Sequence, residues 1–287
     1  ILASPVLTDS KFQQLVSIDR PGYDVEIVSL NYDCAISLRQ AVTQVCDKVE
    51  QAVRGGKVIV VLSDRDIEPG KLPVPALMAT GAVHHRLTQQ GLRCDANLVV
   101  ETGTTRDPHH FAALIGFGAT AVYPYLVYEV LGDLTRSGGL LIDSFEACKN
   151  YRKAIDKGLL KILSKMGIST VASYRGAQLY EAVGVSRDVV DLCFCGVTSR
   201  IQGAGFEDFE HDLKILAGNA WKQRKPIEQG GLLKFVHGGE YHAFNPDVVG
   251  ALHKAVQSGD YEYYLEYAGL CQDRPIAAIR DLLKLRD

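Results

Sequence analysis

The stretch KNYRKAIDKGLLKILSKMGISTVASYRGAQLYEAVG, residues 149–184, decides the fold that we predict for this chain. In its first part apolar side chains recur at helical spacing and lysines repeat every four residues from Lys153 to Lys165, so an apolar stripe opposes a basic one. Gly167 ends this helix. The run 168–172 is apolar and rich in β-branched residues, which predicts a short strand buried on both faces. A polar loop and a further helix complete a helix–strand–helix succession that is typical of parallel α/β sheets.

The same alternation of apolar runs and amphipathic stretches extends over most of the chain. It predicts strands at residues 25–30, 57–62, 96–101, 120–123, 168–172 and 189–194. It predicts helices at residues 34–54, 75–90, 108–117, 124–134 and 143–167, and only helices beyond Glu207. Strands that alternate with helices in this way imply parallel βα units joined by right-handed crossovers. About six strands are fewer than the eight that a complete TIM barrel needs.

Composition and charge narrow the classes of function. With 287 residues the chain is long enough for one large domain or two small ones. A formal net charge of -3 gives no electrostatic reason to expect binding to nucleic acid or to an anionic membrane surface. No apolar run approaches the roughly 18 residues that predict a membrane span. Seven scattered cysteines favour a reducing compartment over a disulfide framework, so we expect a soluble, intracellular globular protein.

Three runs of sequence carry a resemblance to a known family. They are ETGTTRDPHHFAALIGFGATAVYPYL from Glu101, KGLLKILSKMGISTVASYRGAQLYEAVG from Lys157 and GGLLKFVHGGEYHAFNPDVV from Gly230. Together they resemble glutamate synthase, in the order in which that family has them. The resemblance implies the central region of the enzyme followed by the start of its FMN-binding synthase domain. A first residue Ile1 in place of methionine also fits a piece of a longer chain.

The resemblance also sets the expected fold and domain organisation. The central region of the family is an α/β domain similar to an incomplete TIM barrel, which agrees with the number of strands predicted here. We therefore expect an α/β fold of parallel βα units that form an incomplete TIM-barrel-like domain, with a helical C-terminal tail. The expected divisions are an N-terminal arm or linker at residues 1–24, the central α/β domain at 25–229, and a connector with the start of the synthase domain at 230–287.

The activity that the resemblance implies belongs to the parent enzyme. That enzyme makes L-glutamate from glutamine and 2-oxoglutarate, moving ammonia through an internal tunnel, with FMN and an iron–sulfur cluster in its synthase half. Its partners are the glutaminase and FMN synthase domains of the same polypeptide, and ferredoxin or an NADPH-linked subunit. The compartment would be the cytoplasm, or the plastid stroma in a photosynthetic eukaryote. Glutaminase catalysis in the family uses an N-terminal cysteine, whereas Ile1 stands here, so we expect this segment alone to be inactive and without a cofactor.

Charged and polar residues follow several predicted strands, where the sites of parallel α/β proteins usually lie. If the strands are neighbours, these side chains meet on one rim and could bind a phosphate or carboxylate, or contact the adjoining domains. Pairing of the acids and arginines with each other and with those domains is the interpretation that we favour. The residues expected on this rim are Asp64, Arg65, Glu101, Arg106, Ser173, Arg175 and Arg200.

Cysteine and histidine patterns do not predict a metal site. The family's cluster needs closely spaced cysteines, whereas here only Cys193 and Cys195 are close, on a predicted strand that places both on one face. Adjacent histidines on a helix point about 100° apart and cannot share one ion. We therefore interpret the pairs at 84–85 and 109–110 as helix packing, with a zinc ion held across the sheet as the less favoured alternative. The motif HGGEYH at 237–242 favours an interdomain turn over catalysis.

Three functions follow from these observations. The favoured one is a non-catalytic central domain that connects the glutaminase and synthase domains and contributes to the tunnel wall. The second is a free-standing, barrel-like flavoprotein that binds the FMN phosphate at the rim near Arg175. The third is a binding module for a small anion at the same rim.

Overall fold

A computed structural model of the chain describes residues 2–222, 230–276 and 279–283. The chain divides into two compact units, Ile1–Trp221 and Lys222–Asp287. The first unit contains strands β1 Val25–Ser29, β2 Asn31–Asp33, β3 Ile59–Ser63, β4 Lys71–Pro73, β5 Asn97–Glu101, β6 Ala121–Tyr123, β7 Glu181–Val185 and β8 Thr198–Ala204. Its helices are α1 Asp9–Val16, α2 Leu38–Arg54, α3 Ala76–Gln89, α4 Pro108–Gly116, α5 Tyr125–Arg136, α6 Ser144–Lys165, α7 Val171–Tyr174, α8 Arg187–Cys193 and α9 Phe206–Ala220. The second unit contains α10 Pro246–Ser258, α11 Tyr261–Gln272 and a 3₁₀ helix at Ile279–Leu282.

The centre of the first unit is a four-stranded parallel sheet in the order β1-β3-β5-β6. All five residues of β3 are buried, as its apolar sequence IVVLS predicts for an interior strand covered on both faces. The sequence-based prediction of an α/β fold with parallel βα units is confirmed for this part of the chain. The first four predicted strands and the helices between them lie where the periodicity places them, with ends that differ by a few residues.

Helices cover both faces of this sheet. The larger apolar cluster packs α2, α3, α4 and α6 on one face, and the smaller one packs α1 on the other, where Phe12 stacks on Tyr123 with ring centroids 4.3 Å apart. Three of the helices on this sheet begin at side chains that accept hydrogen bonds from first-turn amides, namely Ser37 before α2, Asp107 before α4 and Asp143 before α6. Residues 1–24 take part in this packing, because Val6 forms a parallel bridge with Val122 and is buried.

The prediction of a strand at residues 168–172 is wrong. The Thr170 side chain accepts a hydrogen bond from the Ser173 amide and caps the short helix α7 instead. The run is too short and too exposed for an interior strand, since only Tyr174 of α7 is buried. The helix expected after it is also wrong, because the chain forms β7 there.

The predicted strand at 189–194 is likewise wrong, because these residues lie in α8 and at its end. Val189, Val190 and Cys193 are buried on one helical face, a spacing that suits the 3.6-residue period as well as it suits a short strand. Sequence patterns also missed β8, which pairs with β7 in a separate two-stranded parallel sheet. Its residues are mostly exposed and polar, so hydropathy does not mark it.

The regular elements in the described residues of the second unit are all helices. Asn245 caps α10 and Pro246 occupies its first turn, while Gly259 ends it in a left-handed conformation. The expected boundary at residue 229 falls in the segment 223–229, which lies outside the described residues. None of the helices in the described ranges combines the length and apolar character needed to cross a lipid bilayer.

Candidate functional site

The carboxyl ends of β3, β5 and β6 bring polar and charged side chains together in the first unit. Ser63 lies opposite Glu101 in the sheet register, and Glu101 lies opposite Tyr123. Because parallel neighbours end at the same edge, the loops that follow these strands meet there. Asp64 and Glu101 are only 3% and 5% exposed, so their charges need partners within the protein.

Glu101 has partners on both carboxylate oxygens. Oε2 accepts a hydrogen bond from the Ser63 hydroxyl at 2.7 Å, and Oε1 accepts one from Arg65 Nε at 2.6 Å. The same guanidinium donates to Glu129 at 3.0 Å and lies over the Tyr125 ring, 4.1 Å from its centroid. Burial alone would lower the pKa of Arg65, but the hydrogen bond and charge of Glu101 outweigh burial and raise that pKa. Arg65 is thus held as a cation between two acids and an aromatic ring.

Asp64 is held by three donors. Its carboxylate accepts hydrogen bonds from the Thr102 hydroxyl at 2.5 Å, from the Gly103 amide at 2.9 Å and from the Tyr125 hydroxyl. Burial raises the pKa of Asp64, and these hydrogen bonds offset only part of that increase. Burial also raises the pKa of Tyr125, and the Asp64 charge raises it further.

We call this set of groups, Ser63, Asp64, Arg65, Glu101, Thr102, Tyr125 and Glu129, the carboxyl-edge network. Its arginine binds two of its acids, Glu101 and Glu129, and the third acid, Asp64, is held by uncharged donors. A group that would attack or protonate a substrate needs an accessible atom and a free donor or acceptor. Neither buried carboxylate offers one, so the geometry is that of a structural network and not of an open site.

The seven residues expected on this rim do not all meet there. Asp64, Arg65 and Glu101 do, as the spacing of their strands predicts. Arg106 lies in the loop after β5, where its carbonyl oxygen accepts a hydrogen bond from the Tyr151 hydroxyl at 2.9 Å. The side chain of Arg106 has no hydrogen bond or ion pair with the described part of the chain and stays outside the network.

Ser173, Arg175 and Arg200 lie elsewhere, so the expectation of one shared rim is wrong for them. Arg175 donates to the Thr120 hydroxyl at 2.9 Å, immediately before β6, and so lies at the amino edge of the sheet. Ser173 shares a hydrogen bond with Thr170 in the same exposed segment. Arg200 is an exposed residue of β8 in the separate two-stranded sheet. The causes are the errors at 168–172 and 189–194, since these residues form helices and no strand of the main sheet directly precedes Arg175 or Arg200.

A groove of about 850 Å³ lies at this amino edge. Among its described lining residues Arg175 is the only charged one, and the polar ones include Tyr23, Asn97 and Thr120. Sequence patterns did not indicate this groove, because the N-terminal segment that contributes to its lining was interpreted as an arm. Tyr125 and Glu129 of the carboxyl-edge network were also missed, although Tyr125 lies two residues after the end of the correctly predicted strand β6.

The histidines and cysteines pack as ordinary side chains. His84 Nδ1 accepts a hydrogen bond from Arg93 Nε at 2.8 Å, and burial together with the Arg93 charge lowers the pKa of His84 to about 4. Cys193 ends α8 and is buried, whereas Cys195 is exposed, so the two do not share a strand face. Over residues 2–222, 230–276 and 279–283 no three His, Cys, Asp or Glu side chains are grouped to hold a metal ion.

The motif HGGEYH lies in a compact turn of the second unit. The Glu240 amide donates to the Gly230 carbonyl at 2.7 Å, and the Gly239 amide donates to the Val236 carbonyl at 3.0 Å. His242 Nε2 is hydrogen-bonded to the Gly231 carbonyl oxygen. These three hydrogen bonds close the loop in which the motif itself lies.

A parallel sheet with helices on both faces makes the first unit an α/β domain, and its sequence defines the family. Residues 1–186 match the family model described as glutamate synthase central domain, and the chain belongs to that family. It is 38% identical over 299 residues to "Ferredoxin-dependent glutamate synthase" from Pyropia yezoensis, an alignment that covers 99% of this chain and 19% of that protein. It is 36% identical over 283 residues to "Glutamate synthase [NADPH] large chain" from Bacillus subtilis (strain 168), covering 98% of this chain and 18% of that protein.

The chain therefore spans about a fifth of the length of these relatives (19% and 18%). Among solved structures, a flavocytochrome b2 variant with sulfite bound aligns with a TM-score of 0.41 and 14% identity, covering 77% of this chain and 46% of that one.

Proposed function

We propose that this chain is the non-catalytic central domain of a glutamate synthase, which connects the glutaminase domain to the FMN synthase domain. The observation that carries the proposal is the closed carboxyl-edge network. At the edge where an α/β enzyme places its reacting groups, Arg65 binds Glu101 and Glu129, and the Asp64 carboxylate accepts hydrogen bonds from Thr102 and Gly103. Such an arrangement stabilises a sheet edge and leaves no group for chemistry.

A flavin phosphate does not fit the carboxyl edge. Phosphate sites in α/β folds combine backbone amides at a helix N-terminus with an available cation. The cation here is Arg65, which already binds Glu101 and Glu129 and stacks on Tyr125. Arg175, the residue at which the alternative flavoprotein would bind phosphate, is at the opposite edge beside Thr120. These placements favour the connector over the free-standing flavoprotein or anion-binding module.

The activity of the complete protein is part of this proposal. Its relatives bear the names of ferredoxin-dependent and NADPH glutamate synthases, and this chain would be one domain of such an enzyme, which makes L-glutamate from glutamine and 2-oxoglutarate. FMN and an iron–sulfur cluster would be held by other domains of the same polypeptide. Electrons would come from ferredoxin or an NADPH-linked subunit, in the cytoplasm or a plastid stroma.

The domain organisation is proposed on the same basis. The central α/β domain would extend over residues 25–229 as an incomplete TIM-barrel-like unit, preceded by the segment 1–24 and followed from residue 230 by the start of the synthase domain. A sheet whose interior strand β3 is buried throughout provides a rigid body of this kind. Rigidity is what a spacer between two active sites and a section of tunnel wall requires.

The test of the connector is whether the chain itself holds flavin. The purified 287-residue chain is mixed with excess FMN, dialysed, and its visible absorbance spectrum recorded. We expect no flavin band after dialysis. A retained band that is lost in an Arg65→Met or Arg175→Met variant would overturn the proposal and assign a cofactor site to that residue.

A second measurement separates a structural role from a catalytic one. In a complete synthase that contains this chain, Arg65→Met should lower the melting temperature and leave kcat per FMN-loaded enzyme within about twofold of the parent. A catalytic acid or base would lose on the order of 100-fold or more in kcat. Arg136→Met is the matched control, because Arg136 is 74% exposed and its ion pair with Asp133 is on the surface.

A further inference from the structure

A second cavity, of about 900 Å³, lies in the first unit between α1, α5 and the first half of α6. Its lining includes Asp9 and Ser10 of α1, Tyr128 of α5, and Cys148 and Arg152 of α6. None of the residues of the carboxyl-edge network lines it. The cavity is therefore a separate feature, and nothing in the proposed connector role accounts for it.

Arg152 is the unusual residue of this cavity. Its Nε atom is buried and donates no hydrogen bond to any described residue. The acid nearest to it is Asp156, whose Oδ2 lies 4.0 Å from Nε, beyond hydrogen-bonding distance. The other oxygen of Asp156 accepts a hydrogen bond from the Ser4 hydroxyl at 2.6 Å. Since the side chain is only 31% exposed, this cation is partly removed from water without a close anionic partner.

The charge around Arg152 favours an anion. Lys153 also lines the cavity and forms no ion pair within the described ranges, whereas Lys149 pairs with Glu146 at 3.3 Å. Three basic side chains face two acids, Asp9 and Asp156, in the lining. Asp9 already accepts a hydrogen bond from the Tyr123 hydroxyl at 2.7 Å. The first turns of α1 and α6 also border the cavity, and the positive ends of their dipoles add to the preference for negative charge.

The remaining walls are apolar and aromatic. Tyr128 donates its hydroxyl to the Leu7 carbonyl at 2.9 Å, and its ring, which also contacts the rings of Tyr123 and Tyr151, lines the cavity. Phe145 is 78% exposed beside the cavity, although phenyl rings are usually buried. Cys148 adds a thiol whose pKa is raised by burial, so it behaves there as a small apolar group. A cavity with one under-bonded arginine and aromatic walls matches a ligand with one anionic end and an apolar body.

We propose that this cavity binds a small aromatic monocarboxylate. The carboxylate pairs with the Arg152 guanidinium, with Lys153 in support, and the ring packs between Tyr128 and Phe145. The carboxylate supplies the close anionic partner that Asp156, 4.0 Å from Nε, does not.

The test uses phenylacetate as the probe and phenylethanol as its uncharged counterpart. Each is titrated into the 287-residue chain by calorimetry. Protection of Cys148 from alkylation is followed by peptide mass spectrometry. We expect phenylacetate to bind and to slow alkylation of Cys148, and phenylethanol to do neither at the same concentration. Arg152→Met should weaken phenylacetate binding by about 10-fold or more, because a charge-assisted hydrogen-bonded pair is lost.

Two further variants complete the experiment, one as a control outside the cavity and one as a second change within it. Arg136→Met removes an arginine of α5 that is 74% exposed and outside the cavity lining, and it should leave binding unchanged. Lys153→Met tests the same site if Arg152→Met does not fold, and it should weaken binding several-fold. The proposal is overturned if phenylacetate fails to bind, if phenylethanol binds equally well, or if neither cavity variant that folds weakens phenylacetate binding. None of these outcomes depends on whether the chain retains FMN.

Discussion

The backbone of Gly158 in α6 lies against the ring of Pro108, the first residue of α4, so that a Cβ atom on Gly158 would fall 2.4 Å from the proline Cγ atom. Replacing glycine by alanine inside a helix normally stabilises a protein by up to about 1 kcal/mol. A proline ring at a helix start cannot move aside as a flexible side chain can. We therefore expect Gly158→Ala to lower the free energy of unfolding by about 1–3 kcal/mol through overpacking, as measured by urea denaturation.

The control for this variant is Gly218→Ala in α9. A Cβ atom on Gly218 would meet no heavy atom within 4 Å. The same substitution should here be neutral or raise the free energy of unfolding by up to about 1 kcal/mol. A Gly158→Ala variant as stable as the Gly218→Ala variant would contradict the close approach of α4 and α6.

Asp64 makes the stability of the chain depend on pH. Burial raises the pKa of Asp64 above its ordinary value of 3.8. As pH rises past about 3.8 the carboxyl group ionises first in the unfolded chain, which favours unfolding. Asp64 therefore contributes stability at low pH that is lost as pH rises through its raised, folded-state pKa.

Asp64→Asn removes this dependence. The free energy of unfolding of the variant minus that of the parent should increase between about pH 4 and about pH 7. At every pH the new amide NH₂ group also faces hydrogen-bond donors from Thr102, Gly103 and Tyr125, from which it cannot accept. This mismatch lowers the free energy of unfolding by about 1–3 kcal/mol. A difference that does not change with pH would show that Asp64 titrates normally in the folded chain.

His84 makes the stability of the chain depend on pH in the opposite direction. Burial and the Arg93 charge lower the pKa of His84 from 6.5 to about 4. Below about 6.5 the unfolded chain takes up a proton that the folded chain does not, so stability present at neutral pH is lost as pH falls towards about 4. The loss should be about 2 kcal/mol, less than the full linkage value because the ring is partly exposed to solvent.

Chemical denaturation of a His84→Asn variant at several pH values checks this assignment. The asparagine Oδ1 atom can accept the Arg93 hydrogen bond in place of Nδ1 without titrating. His211→Gln is the control variant, since it removes an exposed histidine of α9. If the parent and His84→Asn lose stability equally between about pH 7 and about pH 4, His84 does not carry the effect.

The cysteines should divide into reactive and protected groups. Cys34, Cys94 and Cys195 are exposed, whereas Cys46 and Cys193 are buried. Burial raises the pKa of Cys46 to about 12 and raises that of Cys193 as well, so neither forms an appreciable amount of thiolate near neutral pH. Iodoacetamide should therefore label the three exposed thiols in the folded chain and the two buried ones only after unfolding, as read by peptide mass spectrometry. Fast labelling of Cys193 in the folded chain would contradict the packing of α8.

Sequence patterns predicted the parallel sheet well because its strands are buried and separated by amphipathic helices. Helix α2 repeats its apolar residues on one face over 17 residues, and the short apolar run IVVLS of β3 follows the Gly55–Gly56 pair that ends this helix. The neighbouring strands β3 and β5 then placed Asp64, Arg65 and Glu101 together. The local apolar pattern was sufficient here because burial determines where these strands and helices form.

Predictions from the apolar pattern failed where a segment is only partly buried or where its apolar run is short. Residues 168–172 and 189–194 each contain a few β-branched or apolar residues that fit either a strand or one face of a helix. Capping by Thr170 favours helix in the first case, and burial of one side only favours it in the second. Strand β8 lies in an exposed pair, so no apolar signal existed to find it. The position of Arg175 followed from the first of these errors.

The pairing of Val6 with Val122 has a consequence for how the sheet folds during translation. The Leu7 amide donates to the Val122 carbonyl and the Val122 amide donates to the Pro5 carbonyl, so residues 5–7 cover the outer side of β6. Synthesis proceeds from the amino end, and these residues leave the ribosome long before residue 122 exists. During translation residues 5–7 have no partner until Val122 has been synthesised, whereas β1, β3 and β5 can pair before then. The last edge of the sheet is therefore closed by a segment that is synthesised before any strand of that sheet.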